Sequence, residues 1–132
     1  MSMSKTFLLS VALALAGLSA TAPAADTVLD PYAVAAPGGF SAARGEQLFR
    51  SKHAGAQEES CTSCHTADPR KSGQHAKTGK VIEPLAPVAN PKRFTDAAKV
   101  EKWFKRNCKE VLARECTAQE KGDFVTYMRG LK

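Results

Sequence analysis

Hydrophobic and polar positions alternate with a helical period in three stretches of the chain and lose that period between them. Ser41 precedes a run in which Gly45, Leu48 and Phe49 share one face, which predicts a helix over about 41–50 with Ser41 as its N-cap. A second helix is expected from Asp96 to about Leu112, capped by Thr95. Its apolar stripe is Val100, Trp103, Phe104 and Val111, and Asn107 interrupts that stripe at i+7. A third runs to about Leu131 from Thr117, with Glu120 three residues on completing a capping box. Residues 26–40, rich in Ala, Pro and Gly, read as a loosely packed leader, and 51–60 as a polar loop. From His65 to Phe94 the pattern is irregular, with Gly73, Gly79, Pro84, Pro87 and Pro91 as breaks. So long a stretch without structure argues against a self-packed domain, unless it wraps an apolar cofactor.

The N-terminus follows different rules. Met1–Lys5 is short and basic, Phe7–Ala16 is apolar apart from Ser10, and small residues follow as far as Ala25. This is the layout of a secretory signal peptide over residues 1–25, with Ala22-Pro23-Ala24 as the expected recognition site. The competing reading, an uncleaved anchor, needs a longer apolar span. Exported, and so periplasmic in a Gram-negative source, the remaining chain is one small domain at 41–132 behind its leader. No membrane insertion is expected after the signal is removed. At that size a cofactor or a disulfide is an expected aid to stability. The formal charge of +6 and low aromatic content exclude a disordered polyanion and a polytopic membrane protein.

The four cysteines carry the chemistry. Cys61-Thr62-Ser63-Cys64-His65 has the C-x-x-C-H spacing of c-type haem attachment. Two thiols on one turn can add across the two vinyl groups of a porphyrin edge, and the next residue, His65, then offers its imidazole to the iron. A thioredoxin-like dithiol needs a βαβ context, which is missing, and a zinc site needs a second C-x-x-C that Cys108 and Cys116 do not form. Cys108 and Cys116, eight apart, are expected to form a disulfide in an oxidising compartment. A free thiol pair acting as a redox switch is the alternative. The fold class is therefore all-α, three main helices plus loops around one covalent haem c.

The sixth iron position is less determined. Small monohaem cytochromes usually take a methionine from the loop after the motif, but beyond the signal the only methionine is Met128, in the last helix. His75 lies in the long loop and would make a His/His electron carrier, or else be a surface residue. His53 reads as a surface residue in a polar segment. Asn107 either hydrogen-bonds to backbone or a haem propionate, or turns its amide oxygen to the iron.

At this point the chain resembles the sphaeroides haem protein family, unusual class I c-type cytochromes. The resemblance starts at Arg44-Gly45-Glu46-Gln47-Leu48-Phe49 and includes Cys61–His65, Thr78-Gly79-Lys80 and Pro84-Leu85-Ala86-Pro87. It continues through Arg93-Phe94-Thr95-Asp96, Val100-Glu101-Lys102-Trp103, Arg106-Asn107-Cys108 and Cys116-Thr117. It implies a class I cytochrome c fold, with Phe124 and Tyr127 packing against Gly45. It also implies a Cys108–Cys116 disulfide, and Asn107 as a distal ligand to ferric iron that leaves on reduction, so that O₂, NO or CO can bind. His75 is not part of the family pattern and stays open as a competing ligand. A neutral amide oxygen is a hard, weak donor that suits ferric better than ferrous iron. Trp103, Phe104 and Val111 are then expected to line an apolar pocket that admits small gases.

Charge adds a partner. From Lys71 to Lys109 ten Lys/Arg stand against three acids, a bias that suits steering of an acidic protein. The resemblance implies a dihaem cytochrome c as electron donor. Nucleic acid is not expected as a partner, because the cofactor motif dominates and export removes that ligand. Three functions remain: a haem protein that accepts electrons and binds a diatomic gas, with oxygen- or NO-handling turnover open; a simple electron carrier using His75 or another sixth ligand; and a redox-sensing or structural exported domain that uses the Cys108/Cys116 pair.

Overall fold

The computed structural model describes residues 23–54 and 58–132. The expected signal peptide falls almost wholly outside the described residues; of it, Pro23, Ala24 and Ala25 are described and exposed. The elements in chain order are α1 (Asp30–Ala35), α2 (Ala42–Arg50), α3 (Thr62–His65), β1 (Gly73–Gln74), β2 (Val81–Ile82), α4 (Ala97–Leu112) and α5 (Ala118–Gly130). The two strands form one antiparallel hairpin pairing Gly73 with Ile82 and Gln74 with Val81. Helices carry the architecture, as the patterning required.

Two of the three long helices start where the sequence places them. The Ser41 hydroxyl accepts from Arg44 N–H at α2, and Thr117 with Glu120 forms the reciprocal capping box at α5. At α4 the cap is Asp96, whose carboxylate accepts from Lys99 N–H, in place of the expected Thr95. Thr95 instead donates its hydroxyl to the Lys92 carbonyl in the preceding turn.

α2 crosses α5 at backbone contact. A Cβ on Gly45 would lie 2.1 Å from the Asp123 carbonyl oxygen and 2.8 Å from Tyr127 Cβ, which explains a glycine inside a helix that would otherwise prefer alanine. The crossing is tied by Asp123, which is buried. Its carboxylate accepts from Ser41 N–H, from Arg44 Nε and Nη2, and from Gln119 Nε2. Burial acts to raise its pKa, but those donors outweigh it and hold the group below its ordinary value. Phe49, Val125 and Met128 fill the core around this crossing. Phe104 packs edge-on against both Phe124 and Tyr32.

The segment 26–40 corrects an expectation. It is no loose leader: it contains α1, and Val28 and Tyr32 are buried in the core. Its composition hid two apolar residues one helical turn apart, and polar ties that only folding creates. Asp26 accepts from Val28 and Leu29 N–H and pairs with Arg129. The Tyr32 hydroxyl donates to Glu101, 2.5 Å away, which Lys121 also holds.

Candidate haem site

The haem-motif cysteines stand on one helical turn. Cys61 is the N-cap of α3, and its carbonyl accepts from both Cys64 and His65 N–H. Both cysteines are free and half-buried. Just upstream, the buried Ser60 hydroxyl bonds Thr62 Oγ1 and Ser63 Oγ, and Thr66, at φ 61°, ends the turn. Burial pushes the Cys61 thiol up to about 11, opposite to the lowered pKa a dithiol redox centre uses. Burial, reinforced by the Arg93 charge, pushes the His65 imidazole down to about 4, so it is neutral at ordinary pH and can act as a ligand.

Two neighbours of this turn were not read from the sequence. Gly73 in β1 packs directly on it: a Cβ there would stand 1.9 Å from the Cys64 carbonyl oxygen and 3.0 Å from His65 Cα. The same hairpin sends Ala76 N–H toward Cys64 Sγ at 3.4 Å. Arg93 reaches back across the loop, donating through Nε to the Pro84 carbonyl and through Nη2 to that of Glu83. Leu85 and Ala86 N–H both bond the Pro69 carbonyl, so the irregular stretch is held by its own backbone. A loop glycine offered a faint signal for the first contact. Nothing local signalled the second.

The remaining candidates separate on α4. Val100, Phe104, Cys108 and Val111 are buried in the core, and Phe104 belongs to the aromatic stack. Trp103 does not share that face: it is 43% exposed, with the Arg106 guanidinium 5.9 Å over its ring. A step of 100° per residue puts it at the edge of the stripe once Cys108 joins the buried set. Asn107 lies between them, half-buried, and its side-chain amide makes no hydrogen bond among the described residues. Cys108, the next residue, forms the disulfide with Cys116, Cα atoms 5.6 Å apart; the free-thiol alternative is not what the structure holds.

His75 is engaged in the hairpin. Its Nδ1 accepts from Lys77 and Thr78 N–H, each at 3.3 Å, which places the neutral ring's proton on Nε2. His53 Nε2 bonds the Leu48 carbonyl at 3.1 Å, and Met128 is sealed in the core. The site thus combines two free thiols and a neutral imidazole on one turn, a donor set that fits covalent haem. A cavity of about 230 Å³ beside the disulfide is lined by Glu101, Phe104, Lys105, Glu115, Cys116 and Lys121 and includes none of the motif residues. Among the described residues no helix is long and apolar enough to cross a membrane.

Helices packed in this way around such a turn define a c-type cytochrome with one covalently bound haem c. Residues 35–128 match the family described as a domain of unknown function (DUF1924). The chain is 44% identical over 129 residues to cytochrome c-type protein SHP of Cereibacter sphaeroides, covering 96% of this chain and 98% of that one. It belongs to the family of that sphaeroides haem protein. The structure of oxidised SHP, an oxygen-binding cytochrome c, superposes with a TM-score of 0.72 at 47% identity, over 76% of this chain and 90% of that one. A solution structure of cytochrome c″ from Methylophilus methylotrophus, which addresses haem-ligand detachment, superposes with a TM-score of 0.66 at 36% identity, over 78% of this chain and 86% of that one.

Proposed function

We propose that this chain is an exported, periplasmic monohaem cytochrome that accepts electrons from an acidic partner cytochrome and binds a diatomic gas at the reduced haem. Cys61 and Cys64 hold the cofactor through thioethers, and His65 is the proximal ligand. The haem, when bound, supplies an iron that cycles between ferric and ferrous states and takes one further ligand. Asn107 would hold that further position in the ferric protein and would give it up on reduction.

The observation that carries this reading is the Asn107 amide: half-buried, beside the disulfide, and without a hydrogen-bond partner among the described residues. No protein donor among the described residues engages its oxygen, which is therefore free to act as a donor. Amide oxygen is a weak ligand for the softer ferrous ion. The relatives add support, since one is an oxygen-binding cytochrome c and the solution structure of another addresses haem-ligand detachment. His75 is the poorer candidate, because ligation through Nε2 would first require loss of that proton or of both backbone bonds to Nδ1.

The test is absorption spectroscopy of the holoprotein, ferric and dithionite-reduced, with CO added to the reduced form. A high-spin ferrous spectrum that shifts promptly with CO is expected. Asn107→Ala should then alter the ferric spectrum and leave the ferrous–CO spectrum unchanged. A low-spin ferrous spectrum indifferent to CO would overturn the proposal and return the protein to a simple electron carrier.

A further inference from the structure

Most arginines of the molecule are paired, whereas the exposed Lys71, Lys80, Lys92 and Lys132 have no ion pair among the described residues and lie scattered over loops and the chain end. Arg44 meets Asp123, Arg50 meets Glu46, Arg70 meets Asp68, and Arg114, Lys121 and Arg129 meet Glu120, Glu101 and Asp26. Along α4 such lysines gather on a single helix face. Lys99, Lys102, Lys105 and Lys109 are exposed, and their ammonium groups have no partner among the described residues. Both acids of this helix are already engaged, Glu101 by Tyr32 and Lys121 and Glu110 by Arg106.

At 100° per residue the four lysines and Arg106 fall within one sector of about 120°, about 15 Å long, opposite the buried face of Val100, Phe104, Cys108 and Val111. Like charges three and four residues apart destabilise a helix, so this stripe works against folding. Trp103 lies on its flank, between the lysines and Asn107.

We propose that the outer face of α4 is the docking surface for an acidic one-electron donor protein, with Lys99, Lys102, Lys105 and Lys109 as the groups that steer and hold it. This rests on the electron-accepting part of the function proposed above and adds where the donor binds. Charge complementarity selects the partner. A membrane-surface helix needs its apolar face free, and here that face is buried in the core. A single-stranded nucleic acid needs aromatic platforms, and the one aromatic beside the stripe already carries Arg106. In the transfer the donor loses one electron and this protein gains it, and no bond forms or breaks.

The experiment is stopped-flow reduction of the ferric holoprotein by photoreduced flavodoxin, a small acidic flavoprotein whose hydroquinone gives one electron and becomes the semiquinone. Two variants of equal net charge are compared. One carries Lys99→Glu, Lys102→Glu, Lys105→Glu and Lys109→Glu; the other carries Lys71→Glu, Lys80→Glu, Lys92→Glu and Lys132→Glu. At low ionic strength the α4 variant is expected to be reduced at least about tenfold more slowly than the native protein, within the range electrostatic steering commands. The second variant should lose far less, and at about 0.5 M salt all three rates should converge. If charge reversal unfolds α4, as circular dichroism would show, the four lysines are changed to Gln, with a smaller loss of the same salt dependence expected.

Equal losses in the two variants, or a native rate insensitive to salt, would overturn the docking surface. So would tight native binding to phosphatidylserine vesicles or to an oligonucleotide at about 0.15 M salt that the α4 variant loses. Dithionite reduction followed by CO bypasses docking. CO uptake in all three proteins with equal flavodoxin losses sinks this inference alone, whereas absence of CO uptake by the native protein sinks the function it rests on.

Discussion

Gly73→Ala probes how closely the hairpin is pressed on the haem-attachment turn. The added Cβ would stand 1.9 Å from the Cys64 carbonyl oxygen and 3.0 Å from both Cys64 C and His65 Cα. Ordinary contact begins near 3.4 Å, so β1 or the turn must retreat by well over 1 Å. Both are backbone and have no rotamer to change. The hairpin is further held by the Gln74–Val81 pairing and by the Ala76 N–H contact to Cys64 Sγ, so retreat loosens those as well. Overpacking of this kind costs about 1–3 kcal/mol, and the rigidity of both partners places it at the upper end. The smaller entropy of an unfolded alanine returns about 0.4–1 kcal/mol. A net loss of about 2 kcal/mol remains, which at a urea m value of about 2 kcal/mol per M moves the midpoint down by about 1 M. The assay is urea unfolding of the holoprotein, followed by far-ultraviolet circular dichroism and by haem absorbance, together with the yield of covalently attached haem. A midpoint within about 0.2 M of the native one, with unchanged spectra and yield, would refute the claimed contact.

Other consequences follow from the same structure. Asp123→Asn should cost about 1.5–3 kcal/mol by weakening a buried, charge-assisted set of bonds, measured by thermal or urea unfolding at neutral pH. The folded pKa of Asp123 lies below its unfolded value of about 3.8. Its contribution is therefore complete above that value and is lost as the pH falls through the folded pKa. Native stability should thus decline below about pH 4 more steeply than that of the Asn variant, although Asp26, Asp68, Glu101 and Glu120 act in the same direction. An identical acid slope in both proteins would contradict the assignment. The double variant Cys108→Ala, Cys116→Ala opens a loop with a sequence separation of 8 and should lose about 2–3 kcal/mol. A urea midpoint equal to that of the native protein would show that the bridge adds nothing to stability.

Much of this protein was legible in local spacing. C-x-x-C-H places Cys61, Cys64 and His65 on one turn whatever surrounds it. Ser41 and the Thr117–Glu120 box mark helix starts, because a cap satisfies backbone donors only three residues away. The Cys108–Cys116 pairing and the long helix between Asp96 and Leu112 have the same origin. An asparagine in an apolar stripe is conspicuous for a further local reason, since a buried amide needs a partner.

What tertiary structure decided depends on residues far apart in the chain. Val28 and Tyr32 are core residues because α1 docks on α5 and because Glu101 meets the Tyr32 hydroxyl from 69 positions away. Trp103 and Phe104, adjacent and both apolar, part company because only Phe104 faces the Tyr32 and Phe124 rings. The hairpin turn that engages the His75 ring, and the backbone of Cys64 that excludes a side chain at Gly73, exist only once the loop has closed on itself. Periodicity and caps are set by neighbours within a turn or two of helix, so the sequence alone determines them. Which of two apolar neighbours is buried, and which polar group is left without a partner, is set by whatever distant surface arrives against them.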